Sequence, residues 1–213
     1  MSSDIKPYVF PHDRVVLFSD AVFAIAMTLL AIELKVPPRA HADAEGLAAA
    51  LGELTPVLIG YFVSFSVVGL FWASHMRTWK HVTTATTGIV WLNILQLMFV
   101  ALMPFTTGLY TEYFGSNLAF SLYCLNLAAI ALFAYWVRSV VIRREHLVQT
   151  LGAHEVAWLR SQTLIALFVF LGCIPLAWVA PWSARYGFIM ILVLQIIMRR
   201  YLNRRERLRL ASG

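Results

Sequence analysis

Long apolar runs, broken by short clusters of proline, glycine and charge, fill most of this chain. Their length decides what they form. At about 20 residues per span, the pattern predicts helices near residues 15–36, 54–76, 88–110, 117–142, 156–180 and 183–201. The runs are too long and too continuous for the alternating strands of a barrel. A backbone crossing a bilayer must satisfy its hydrogen bonds inside a helix or a closed barrel, so helices are the solution left. Pro37-Pro38 stops the first helix, and Pro56 suits the first turn of the second. Pro104 and Pro175 fall inside the third and fifth spans, where kinks are predicted. Pro181 leaves almost no loop between the fifth and sixth, which predicts a tight hairpin.

Composition agrees with a chain solvated by lipid. Hydrophobic residues make up 60% and charged residues 13%, against roughly half and a quarter in a soluble domain. The chain reads as a single all-α transmembrane domain over residues 1–213. Trp79, Trp91, Trp136, Trp158, Trp178 and Trp182 fall near the predicted span ends, as an interfacial aromatic belt would. The first thirteen residues are polar and mixed in charge, and no secretory signal peptide is expected. Cys124 and Cys173 each sit in an apolar segment and read as small core residues, without a disulfide framework.

Charge then orients the spans. Of the 17 Lys and Arg residues, Lys35, Arg39 and Arg185 alone fall on one side. The remainder, from Lys6 and Arg14 through Arg77, Arg138 and Arg143 to the Arg199–Arg209 tail, fall on the other. This positive-inside asymmetry predicts an even number of spans with both termini cytoplasmic. The net charge of +6 therefore reads as anchorage beside anionic headgroups, with membrane lipids as partners and no nucleic acid. Glu33, Asp43, Glu45, Glu53 and Glu112 give the opposite side a scatter of acids.

The first helix carries the most informative stretch. Arg14, Phe18, Ser19 and Asp20 stand at the head of an apolar run. A carboxylate inside a membrane-length helix costs roughly 2.5–3.5 kcal/mol on insertion scales. At about 100° per residue, Ile25, Leu29 and Ile32 lie within roughly 60° of one another, with Thr28 on the flank. That stripe is either an ordinary helix contact or an apolar pore constriction. Asp20 lies roughly 140° from Ile25 by the same count, so it faces the protein and needs buried partners. Ser66, His75, Asn93 and Gln96 are the polar candidates in the next two spans. His75 and Asn93 lie at about the depth of Ser19 and Asp20, which predicts a Ser–Asp–His–Asn network joining three helices.

Arg14-x-x-x-Phe18-Ser19-Asp20, followed by Ala21-Val-Phe-Ala-Ile-Ala-Met-Thr-Leu-Leu, resembles the first-helix signature of the transmembrane protein 175 family, the endosomal and lysosomal potassium channels. The resemblance continues through Trp72-Ala-Ser-His75-Met-Arg77 in the second span. In the third it rests on Asn93-Ile-Leu-Gln-Leu-Met and Met103-Pro104-Phe105. It covers the last three spans by hydropathy alone. The animal members carry two six-helix repeats. One copy of the motif occurs here, which resembles the prokaryotic single-repeat branch. The resemblance implies a homotetramer in the cell (inner) membrane, with the first helices around a central pore and potassium as the permeant ion. It places Ile25 at the narrowest layer, Leu29 and Ile32 at the next layers, and Thr28 beside them. It assigns Arg14, Phe18, Ser19, Asp20, Trp72, His75 and Asn93 to the motif and the polar network that hold the pore helix. Ala21 departs from the glycine frequent in bacterial relatives, a change between small residues.

Other chemistries find less support. No Thr-Val-Gly-Tyr-Gly segment occurs, so a filter of backbone carbonyl rings is not expected. His12, His41, His75, His81, His146 and His154 show no metal-ligand spacing, and no nucleophile motif or phosphate-binding loop is present. No enzyme activity, resident metal or cofactor is therefore expected. A secondary transporter of a small cation or solute is the alternative, but it would call for inverted repeats and broken helices at mid-membrane.

Overall fold

The structure, a computed structural model, describes residues 9–35, 44–145 and 147–212. The expected end of the first span at Val36, the Pro37-Pro38 stop, Lys6, Arg39, His41, Asp43 and His146 lie outside the described residues. So do the side chains of Glu45, Arg205, Arg207 and Arg209.

Helix α1 (His12–Leu29) tightens into a 3₁₀ turn at Leu30–Glu33. A short α2 (Ala44–Glu53) leads into α3 (Thr55–Trp79), which has Pro56 in its first turn. The third predicted span is two helices, α4 (Thr87–Ala101) and α5 (Met103–Glu112), meeting at Leu102. Pro104 sits in the first turn of α5, where its missing N–H breaks no intrahelical bond. Helix α6 (Asn117–Arg144) starts at Ser116, whose hydroxyl accepts from the Ala119 amide. Then come α7 (Leu147–Val179), α8 (Pro181–Arg185) and α9 (Gly187–Ser212).

Five of these stretches are long and apolar enough to cross a membrane: His12–Glu33, Thr55–Trp79, Thr87–Glu112, Asn117–Arg144 and Gln149–Val179. In α7 the backbone leaves helical geometry at Gly152 (φ 82°, ψ 160°), while the helix passes through Pro175. The predicted 183–201 span is divided differently. Helix α8 ends at Arg185 and α9 begins at Gly187, with Tyr186 between them, and the apolar part of α9, Gly187 to Met198, ends at Arg199-Arg200. Its length, about 18 Å, is short of the roughly 30 Å hydrocarbon core.

Two strands of two residues each also form, β1 (Val9–Phe10) and β2 (Ala85–Thr86), antiparallel with Val9 opposite Thr86. With His12 Nε2 donating to the Trp79 carbonyl at 3.1 Å, they pin the start of α1 to the α3–α4 connection. One buried cluster, around Phe23, Leu30, Leu97, Tyr123, Leu127 and Phe170, joins α1, the 3₁₀ turn, α4, α6 and α7. A second, around Val15, Trp79, Ile89, Val137 and Val141, closes the basic end. Trp79 is thus a core residue, departing from the aromatic-belt expectation. Arg185 ties α8 to the α5–α6 turn by donating to the Phe114 carbonyl at 2.8 Å and lying over the Phe114, Phe120 and Trp182 rings.

Close packing of α9 on α7 depends on Gly187, where a Cβ would overlap Cys173 Sγ. Gly187→Ala is expected to lower stability by about 1–3 kcal/mol through overpacking. Gly172→Ala, with open space around it, should be neutral or stabilising by up to ~1 kcal/mol through helix propensity. Thermal unfolding of the two variants in detergent checks the difference in sign.

Candidate functional site

Two faces of α1 have opposite surroundings. Val15, Ser19, Phe23, Ala26 and Leu30, spaced by three and four residues, are buried. Ile25, Leu29 and Ile32 are 57%, 40% and 67% exposed, and Thr28 lies open beside them. The Thr28 hydroxyl donates to the Ile25 carbonyl at 2.9 Å. Its own proton is therefore taken up by the helix, while its oxygen lone pairs are left for whatever meets this face. An apolar stripe that the protomer itself leaves uncovered in mid-span needs lipid, a second chain or a pore lumen against it.

The buried face is held by a directional hydrogen-bond chain. Asn93 Oδ1 has no proton to give, so His75 Nε2 donates to it at 2.8 Å. Asn93 Nδ2 donates to Ser19 Oγ at 2.9 Å, and Ser19 Oγ donates to the Val15 carbonyl at 2.8 Å. Ser19, His75 and Asn93 are all buried. The chain joins α1, α3 and α4 and runs in one direction, from His75 through Asn93 and Ser19 to the Val15 carbonyl. Phe23 packs on His75 with ring centroids 5.4 Å apart.

Asp20 stands outside this chain, where the sequence had placed it within the network. It is half-buried, and its Oδ1 accepts from the Trp72 indole N–H at 2.9 Å. The helical phase explains the separation. Asp20 is one residue, roughly 100°, around α1 from Ser19, which turns it away from α4. Trp72 and His75 are three residues apart on one face of α3, so Trp72 meets Asp20 while His75 reaches Ser19 through Asn93. Trp72 entered the sequence reading only as part of the motif; its role as donor to Asp20 was missed. Of the other polar candidates, Gln96 is buried near His75. Ser66 is exposed and donates back to the Phe62 carbonyl, away from Asp20's neighbourhood. Arg14 and Phe18 are exposed and border a shallow recess above Asn93.

Arg138 is the larger surprise. Counted by charge as a headgroup anchor, it is 2% exposed. Its Nε donates to Thr78 Oγ1 at 3.1 Å, and Nη2 donates to Ser74 Oγ at 2.6 Å and the Ser74 carbonyl at 3.2 Å. Nη1 donates to the Leu159 carbonyl. Among the described residues no carboxylate pairs with it. Ser74 and Thr78 flank His75, so Arg138 braces the part of α3 that carries the chain to Ser19. A signal for this was available: Ala131, Ala134, Val141 and Ile142, the helical neighbours of Arg138, are all apolar.

The family described as endosomal/lysosomal potassium channel TMEM175 matches residues 14–104, which hold every residue of this site except Arg138 and Leu159. A potassium channel of Streptomyces collinus is 41% identical over 124 residues, covering 56% of this chain and 59% of that protein. A potassium channel of Chamaesiphon minutus is 30% identical over 191 residues, covering 87% of this chain and 93% of that protein. The crystal structure of a lysosomal potassium-selective channel TMEM175 homolog from Chamaesiphon minutus superposes with a TM-score of 0.73 at 28% identity. That superposition covers 90% of this chain and 98% of the other. The chain thus spans a little under two thirds of the first relative and nearly all of the second.

Proposed function

The chain belongs to the TMEM175 family, and from that membership we propose that it is a potassium channel, conducting passively through a pore lined by α1 in a homotetramer. The observation that carries the reading is the two-faced environment of α1. One face is fixed by the Ser19–Asn93–His75 chain and the core, and the other face leaves Ile25, Thr28, Leu29 and Ile32 exposed among the described residues. Four such stripes around one axis would form stacked apolar layers, with Ile25 narrowest and Leu29 and Ile32 outward.

The mechanism follows from what such a neck lacks. It offers no carbonyl cage to replace the ion's water shell, so an ion crosses it with part of its hydration stripped. Potassium, larger and less strongly hydrated than sodium, loses less. Discrimination by this route is softer than that of a carbonyl filter, and the same apolar layers can dewet and close. Arg14, Phe18, Asp20 and Trp72 aim α1, together with the buried chain. The expected topology is multi-pass, in the inner membrane, with both termini cytoplasmic. The sixth span then comes from α8 and α9 acting together as a hairpin on α7. Membership in an ion-channel family supports a role without enzymatic chemistry, and the transporter alternative is not favoured.

Reconstitution into liposomes tests this. Potassium should run down its gradient without a co-ion, and the mass in detergent should be four times the 24.1 kDa of one chain. Folded protein that leaves the liposomes silent, or a monomeric mass, would overturn the pore reading.

A further inference from the structure

On the far side of α3 from α1 lies a groove of about 370 Å³, walled by α3, α7 and α9. Its walls are apolar over most of their length, with Phe62, Leu70, Phe170 and Phe188 prominent. Arg77, Ser74, Gln162, Thr163 and Gln195 lie towards the basic end, while Ser66, midway along, spends its hydroxyl proton on the Phe62 carbonyl. Arg77 is exposed and its Nη2 donates to Gln162 Oε1 at 3.4 Å. With that oxygen taken by Arg77, the Gln162 amide N–H₂ and the other guanidinium N–H groups remain as donors. Among the described residues no Asp or Glu lines the groove and Arg77 is its one formal charge, positive and uncompensated.

We propose that this groove binds an anionic phospholipid, its phosphate on Arg77 and Gln162 and an acyl chain along Leu70, Phe170 and Phe188. Three arguments favour a lipid over a second copy of the chain. Leu70 and Arg77 lie roughly 160° around α3 from Trp72 and His75, so the groove opens away from the face on which copies meet in the proposed tetramer. The charge pattern complements an anionic headgroup, and guanidinium–phosphate pairing is the strong, bidentate kind. The distance along α3 from Arg77 to Phe62, about 22 Å, exceeds the ~15 Å of one leaflet's hydrocarbon, leaving room for a full chain. The assignment to the cytoplasmic leaflet rests on the orientation proposed above. Binding itself does not.

Native mass spectrometry of the full chain in mild detergent, with phosphatidylglycerol or phosphatidylcholine added, tests the site without reading flux. The wild type should retain phosphatidylglycerol in preference. Arg77→Gln should reduce that retention about fivefold, the factor expected for one basic side chain facing an anionic lipid. Because Arg77 is exposed, this variant leaves the core untouched. Ala166→Phe, which fills the groove, should displace both lipids, and Leu70→Trp serves in its place if that variant does not fold. Arg200→Gln, outside the groove, should change nothing. Equal retention of the two lipids, or undiminished retention in Arg77→Gln, would refute the site. So would a cross-link between copies through Leu70→Cys, which would place a second chain there. Channel activity without lipid selectivity sinks this proposal alone; lipid selectivity in a protein that does not conduct sinks only the pore reading.

Discussion

Replacing Ile25 with asparagine is expected to raise cation flux about tenfold or more and to bring potassium and sodium permeation close together. Ile25 is 57% exposed on the protomer, so the substitution leaves the packed face of α1 alone and the protein should fold and assemble as before. In the proposed pore, four isoleucines set a layer in which water finds no hydrogen-bond partner, and the barrier is the cost of wetting that layer. An asparagine offers two donors and an acceptor to water or ion, each contact worth on the order of 1 kcal/mol. A barrier lower by ~1.4 kcal/mol is already tenfold in rate, and four amides supply more than that. The stabilised hydration shell then removes the reason for potassium to be preferred. Liposome flux measured separately with potassium and sodium checks both parts. Unchanged flux and unchanged selectivity would mean that this face contacts lipid or a neighbouring helix and is not the constriction.

That expectation rests on helical phase, which the sequence displayed well. Ile25, Leu29 and Ile32 share a face because 3.6 residues make a turn, and no tertiary knowledge is needed to see it. The same holds for Asp20 turning away from them, and for depth matching that put His75 and Asn93 within reach. What phase leaves open is the rotation of one helix against another. Asp20 and Ser19 differ by one residue, and only the placement of α3 and α4 decides that Ser19 meets Asn93 while Asp20 meets Trp72. Arg138 shows a second limit. Counting charges at span ends treats every arginine as surface, yet the apolar neighbours of Arg138 along α6 marked it as inward-facing. The two-residue strands Val9–Phe10 and Ala85–Thr86 are too short for any alternation to register. The final helix was harder for a different reason. Hydropathy summed across Tyr186 reads 183–201 as one span, whereas α8 ends at Arg185 and α9 begins at Gly187.

Asn93→Leu is expected to destabilise the protein by about 2–4 kcal/mol, and by more than Asp20→Asn. Leucine approximates the shape of asparagine, so little of the loss is cavity. Fully buried, Asn93 uses both ends of its amide. Without it the His75 Nε2–H is left buried with no acceptor, at roughly 1–3 kcal/mol, and the link from α4 to Ser19 is lost as well. Ser19 suffers less, because its hydroxyl still donates to the Val15 carbonyl. Asp20→Asn keeps an oxygen for the Trp72 N–H and gives up only charge assistance at a half-exposed site, worth about 1 kcal/mol or less. A double substitution separates hydrogen bonding from shape. If His75→Phe is combined with Asn93→Leu, the orphaned donor disappears and part of the stability should return, since removing both partners of a buried hydrogen bond costs less than removing one. Thermal unfolding in detergent, compared across the three variants, reads the ranking directly. A larger loss from Asp20→Asn than from Asn93→Leu would shift the bracket on α1 to the Asp20–Trp72 contact. With it would shift the rotation of α1 that exposes Ile25, because the helix would then be aimed from the Asp20 side and not from the buried face that carries Ser19.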